Sequence, residues 1–103
     1  MIGVEEVDFV SVPVRDPETA RRFYGDVLGL QPGRGTDEFE TGNVTLALWQ
    51  PEAEDIPFAP NTAGIALRVP DVAAARTQLE AAGVPFDDLV ARIVGLAVAR
   101  VTA

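Results

Sequence analysis

Three features of this 103-residue chain predict an α+β fold. An alternating apolar run (Val10, Val12, Val14) leads into the stretch DPETARRFYGDVLG at residues 16–29. A second such run (Ile65, Leu67, Val69) leads into DVAAARTQLEAAG at residues 71–83, so a unit of strand then helix occurs twice, Asp16 and Asp71 standing fifty-five residues apart. Each helical stretch opens at an aspartate and closes at a glycine, the residue types that cap helix starts and terminate helices in a left-handed conformation. Between the two copies, apolar and polar residues alternate on either side of Gly42-Asn43, a pattern of paired strands rather than of a further helix.

In order along the chain, residues 7–14 alternate, with Val10, Val12 and Val14 on one side and Val7, Phe9, Ser11 and Pro13 on the other. The valine side requires a cover, and the following helix supplies one. Asp16 can accept from the free amides of the first turn, Pro17 suits the first helical position, and Glu18 favours the positive end of the helix dipole. Ala20, Phe23, Tyr24, Val27 and Leu28 then recur at helical spacing, and Gly29 ends the helix. Tyr24 is the sole tyrosine, and its spacing assigns it to the buried face rather than to chemistry.

From Leu30 the chain is expected to turn irregular through Pro32-Gly33-Arg34-Gly35, a turn rather than a phosphate cradle, since lysine and a strand-to-helix placement are both lacking. Residues 37–41 and 44–49 form two strands joined at Gly42-Asn43, with Val44, Leu46 and Leu48 on one face and Thr45, Ala47 and Trp49 on the other. Residues 51–60, with three prolines and three acids, are expected to be a loop or linker. The strand pattern resumes at residues 64–69, where Ile65, Leu67 and Val69 oppose Gly64, Ala66 and Arg68; Asp71 caps a helix whose apolar positions are Val72, Ala75, Leu79 and Ala82. Residues 84–86 begin another strand, whereas 88–103, DLVARIVGLAVARVTA, fit a helix or a strand, with strand preferred over 93–101. The second copy is expected to be unfinished, roughly twenty residues short of a full repeat.

Composition narrows the function. Sixteen acids against eight bases give a net charge of −8, which repels phosphate backbones and argues against nucleic acid while permitting a cationic ligand. Without cysteine or histidine there is no disulfide, no thiolate nucleophile, and neither the commonest metal ligand nor the commonest general base of neutral pH. No window is long and apolar enough to span a bilayer and the opening MIGVEEVDFV is not built as a secretion signal, so a soluble cytoplasmic protein, with no membrane partner, is expected.

The run Val12-Pro13-Val14-Arg15-Asp16-Pro17, then Phe23-Tyr24, then Leu28-Gly29-Leu30, resembles the first module of the vicinal oxygen chelate superfamily, which contains glyoxalases, bleomycin-resistance proteins and extradiol dioxygenases. Ile65 and the residues after it, IALRVPDV, look like the start of the second module. The resemblance covers about residues 7 to 85 and implies paired βαβββ modules whose sheets curl into a cup, helices outside and ligand inside. On this chain residues 1–50 would be the first module, 51–62 a linker and 63–103 a truncated second module, all within one domain. In the family's enzymes, histidine, glutamate or glutamine on four strands bind the metal. Carried onto this chain, the first three of those positions fall on Phe9, Ala47 and Gly64, and the fourth belongs to a last strand that the tail lacks.

Phe, Ala and Gly side chains offer no lone pair to a metal, so no metal and no other cofactor is expected, and the resemblance leaves open whether the chain is an enzyme. The cavity-facing residues are then Phe9, Ser11, Thr45, Trp49, Ala66 and Arg68: aromatic rings to stack a flat ligand and small or polar side chains to orient it, unless Phe9 and Trp49 only fill the cup and Arg68 is a solvated charge. The expected function is metal-independent binding of a small molecule, flat or cationic, in the manner of the bleomycin-resistance proteins, by a homodimer whose partner strands complete the cup. Two alternatives stand beside it: a degenerate glyoxalase-like lyase, epimerase or dioxygenase, and a truncated domain that acts only through oligomerisation.

Overall fold

The computed structural model describes residues 1–61 and 65–84, together with the backbone of residues 96–97. It divides into two compact units at the junction of Pro60 and Asn61.

The first unit is a mixed four-stranded sheet with one helix. Strand β1 (Phe9–Pro13) runs parallel to β4 (Thr45–Trp49); β3 (Glu38–Glu40) is antiparallel to β4, and β2 (Gln31–Pro32) antiparallel to β3, giving the order β1-β4-β3-β2. The register aligns Val10 with Leu46 and Val12 with Leu48 across β1 and β4, and Phe39 with Leu46 across β3 and β4. Val12, Phe39, Leu46 and Leu48, with Val14, Ala20, Phe23 and Tyr24, form the core on the helix side of the sheet, and Val10 is half-buried. The strand expected over residues 7–14 is shorter than its apolar alternation: Val7 precedes β1 and is 60% exposed.

The helix that covers this face is capped as its sequence requires. The Asp16 carboxylate accepts from the amides of Glu18 and Thr19 and from the Thr19 hydroxyl at 2.7 Å, and Pro17 occupies the first turn of α1 (Pro17–Arg22). These hydrogen bonds hold the exposed Asp16 carboxyl below its ordinary pKa, the Thr19 hydroxyl contributing most. Beyond Arg22 the helix widens into a π turn, Phe23–Val27, in which the Leu28 amide reaches the Phe23 carbonyl. Phe23 and Tyr24, the first two residues of this turn, both face the core. Their rings meet edge to face at 5.1 Å, and Tyr24 lies 6.0 Å from the Phe39 ring.

The extra residue in the turn also shifts the helical phase behind it. Val27, expected on the buried stripe, is therefore 41% exposed, and Leu28 is half-buried. Gly29 then adopts a positive φ of 72° and the helix stops. An ion pair between Arg21 and Asp37 ties the helix to the start of β3.

The segment expected to be irregular from Leu30 contains β2, and the predicted turn follows it as the β2–β3 connection. The Gly33 amide continues the ladder to the Glu38 carbonyl at 2.7 Å. The Gly42-Asn43 connection forms as expected: Gly42 has φ 102°, and the Thr41 hydroxyl donates to the Val44 carbonyl at 2.7 Å and accepts from its amide at 3.2 Å. The stretch expected to be a loop opens with a 3-10 turn, Pro51–Glu54, whose proline is buried. Phe58, further along it, lies under the Arg15 guanidinium at 4.6 Å.

In the second unit β5 (Ala66–Leu67) pairs antiparallel with β6 (Leu96–Ala97), and α2 (Val72–Ala81) lies between them in sequence. Asp71 caps α2 by accepting from the Ala74 amide at 3.1 Å. The helix closes with Gly83 at φ 79° and paired bonds from the Val84 amide to the Leu79 carbonyl and from the Gly83 amide to the Glu80 carbonyl. Leu79 is the buried anchor of α2, with Val72 and Ala75 half-buried; Ala82, expected on the same stripe, is exposed. The strand preferred for the tail is present at Leu96–Ala97, and the rest of 85–103, including the strand expected at 84–86 beyond Val84, lies outside the described residues. No helix among the described residues is long and apolar enough to cross a membrane.

Candidate functional site

Alternation in β1, β3 and β4 sends one set of side chains to the helix and the other to the opposite face of the sheet. On that second face Phe9 stands beside Thr45, Ser11 beside Ala47, and Pro13 beside Trp49. The sheet thus brings together four residues expected to line a cavity: Phe9, Ser11, Thr45 and Trp49. On this face Phe9 is 56% and Trp49 36% exposed.

Strand β3 adds a further row to this face. Glu38 is in register with Ala47 and Glu40 with Thr45, so both half-buried carboxylates belong to this open face. Glu40 accepts from the Thr45 hydroxyl, whose oxygen lies 2.9 and 2.8 Å from its two carboxylate oxygens. Thr45 is thereby a positioning residue for Glu40. The missed signal was the local order Glu38-Phe39-Glu40: once Phe39 is assigned to the core, its neighbours must point the other way.

Room for the two carboxylates comes from glycine. A Cβ at Gly33 would stand 2.8 Å from the Glu38 Cβ and 3.0 Å from Glu40 Oε1, and one at Gly35 would stand 3.2 Å from Glu38 Oε2. Neither glutamate makes an ion pair among the described residues. The remaining two expected site residues, Ala66 and Arg68, belong to the second unit: Ala66 is exposed in β5 and Arg68 is exposed just beyond it.

A metal does not fit the positions that the family resemblance designates. Phe9 and Ala47 do share the open face, on adjacent strands, but a phenyl ring and a methyl group have no donor atom to give. The third position, Gly64, lies outside the described residues. Among the described residues no three side chains of His, Cys, Asp or Glu gather as a metal site would need. Tyr24, the other group capable of proton transfer, is 7% exposed on the far side of the sheet, where burial pushes its phenol pKa upward. The open face therefore provides aromatic contact, two carboxylates and the Ser11 hydroxyl.

The family model of the Glyoxalase/Bleomycin resistance protein/Dioxygenase superfamily matches residues 6–98. Among solved structures, the crystal structure of lactoylglutathione lyase from Agrobacterium tumefaciens is similar, with a TM-score of 0.60 and 22% sequence identity over 82% of this chain and 75% of that one. At that identity the likeness concerns the fold. No curated protein matches.

Proposed function

Given that the chain belongs to the Glyoxalase/Bleomycin resistance protein/Dioxygenase superfamily, we propose that it binds a flat small molecule on the open face of its sheet without a metal. One observation carries this reading: Phe9 and Trp49 are both exposed on the face where the family resemblance locates ligands, and Phe9 and Ala47 stand where that resemblance locates metal donors. Exposed aromatic rings lose water when a planar ligand stacks on them, and stacked pairs contribute about 0.5–1.5 kcal/mol beyond the area they bury. The small side chains of Ser11 and Ala47 between the rings leave space for such a ligand.

Trp49 is the single tryptophan and so reports directly on the face. Chelator-treated protein titrated with quinoline and with N-methylquinolinium should show saturable quenching of Trp49 emission by at least one of them, and Phe9→Ala should weaken it. Absence of saturable quenching by both compounds would sink the reading.

A further inference from the structure

We infer that residues 50–58 form a strap that positions Trp49 for stacking, with Gln50, Phe58 and Arg15 as its positioning residues; the inference rests on the binding reading above. Trp49 needs such support because it is the last residue of β4. Among the described residues, β3 is in register with β4 only as far as Ala47, and the Leu48 amide then reaches the Asp37 carbonyl at 2.7 Å, so β1 is the one strand beside Trp49. There the Val14 amide donates to the Trp49 carbonyl at 2.8 Å. The next amide that β4 could offer to β1 is that of Pro51, which has no proton to donate, and the ladder stops.

The strap takes over where the ladder ends. The Gln50 side-chain amide donates to the Arg15 carbonyl at 3.2 Å. The chain then turns back on itself: Pro51 is fully buried at the start of the 3-10 turn, Asp55 takes a left-handed φ of 60°, and the Ile56 amide returns to the Pro51 carbonyl at 3.0 Å. This reversal brings the Phe58 ring under the Arg15 guanidinium, 4.6 Å from the ring centroid. Arg15 adjoins Val14, so the strap closes a circuit from Trp49 through Phe58 and Arg15 back to the Trp49 carbonyl. A strand end that frays must be ordered when a ligand stacks on it, whereas a strapped one is ordered beforehand and binds more tightly.

The test combines steady-state anisotropy of Trp49, quenching titrations with quinoline and N-methylquinolinium, and thermal melting by circular dichroism, on the parent protein and on Phe58→Ala, Gln50→Ala and Phe58→Tyr. Phe58→Ala removes the ring under Arg15, and Gln50→Ala removes the bond to the Arg15 carbonyl. Both side chains are half-buried and outside the core, so the fold should survive either change. Each should lower the anisotropy of Trp49 in the free protein and weaken quenching about two- to fivefold, the effect on an equilibrium of losing one exposed cation–π contact or one hydrogen bond. Phe58→Tyr, which keeps a ring for the guanidinium, should restore both. Unchanged anisotropy and affinity in both alanine variants, whatever happens to Tm, would overturn the inference and leave the binding reading intact. So would a Phe58→Tyr variant as weak as Phe58→Ala. A parent protein that neither probe quenches saturably would instead remove the binding reading, and the inference with it.

Discussion

Replacing Phe39 by alanine tests the division of the sheet into a buried face and an open face. Phe39 is 6% exposed at the middle of β3, in register with Leu46, and its ring lies 6.0 Å from Tyr24. Its Cε1 is 3.4 Å from where a Cβ on Gly25 would stand, so the ring also packs against the π turn of the helix. Truncating a buried phenylalanine to alanine costs about 3–5 kcal/mol, through lost transfer energy and the cavity left behind. Against a total of about 5–15 kcal/mol for a domain, that is a fifth of the stability at the least and all of it at the worst. At roughly 4–8 °C per kcal/mol for a domain near this size, Tm should fall by more than about 12 °C. Thermal and urea melts followed by circular dichroism measure it directly. Glu38→Gln, one residue away on the same strand and on the other face, is the control and should stay within about 0.5 kcal/mol of the parent. A Phe39→Ala loss under about 1 kcal/mol, or a Glu38→Gln loss equal to it, would show that the faces have been assigned wrongly.

Gly33→Ala forces a Cβ to 2.8 Å from the Glu38 Cβ, so it should lower the urea midpoint by the equivalent of about 1–3 kcal/mol; an unchanged midpoint would mean that the β2–β3 pairing is looser than described. Tyr24 has a folded-state pKa raised by burial, so its contribution to stability is present below the unfolded phenol pKa of about 10 and is lost as pH rises through the folded value. Because it is the sole tyrosine, absorbance at 295 nm should show no ionisation near pH 10 and then a rise that accompanies unfolding; a simple titration at pH 10 in folded protein would refute its burial. Self-association is a further proposal: β1 is an edge of the four-stranded sheet among the described residues, and the unit exposes Val4, Val7 and Phe9. Light scattering should give twice the chain mass of 10.9 kDa, and a monomeric mass at working concentration would refute it.

Much of the fold was legible because its signals are local. The valine alternation before Asp16, the Asp16-Pro17 cap, the Gly42-Asn43 connection and the glycine stop at Gly83 each involve a few neighbouring residues with one favoured conformation. What escaped reading depends on contacts distant in sequence. The π turn at Phe23–Val27 carries Tyr24 against Phe39, fifteen positions on, and no helical periodicity encodes it. Strand β2 has only two residues and includes a proline, too short for any period to appear. That Phe9, Ser11, Thr45 and Trp49 share the open face was legible because five-residue strands alternate visibly. Glu38 and Glu40 lie within the strand expected over residues 37–41, but which face they take is fixed only once Phe39 is placed in the core.

The central claim is that this chain keeps the family's frame while the designated metal positions, Phe9 and Ala47 on the open face, have no donors. Thermal melting of chelator-stripped protein with and without Ni²⁺, Zn²⁺, Mn²⁺ and Fe²⁺, with elemental analysis of the same samples, tests it most directly. A site filled at a hundred times its dissociation constant would stabilise the fold by about 2.7 kcal/mol, a rise on the order of ten degrees in Tm. The account predicts no such rise and no stoichiometric metal. One equivalent of bound metal with a Tm raised to that extent would contradict it.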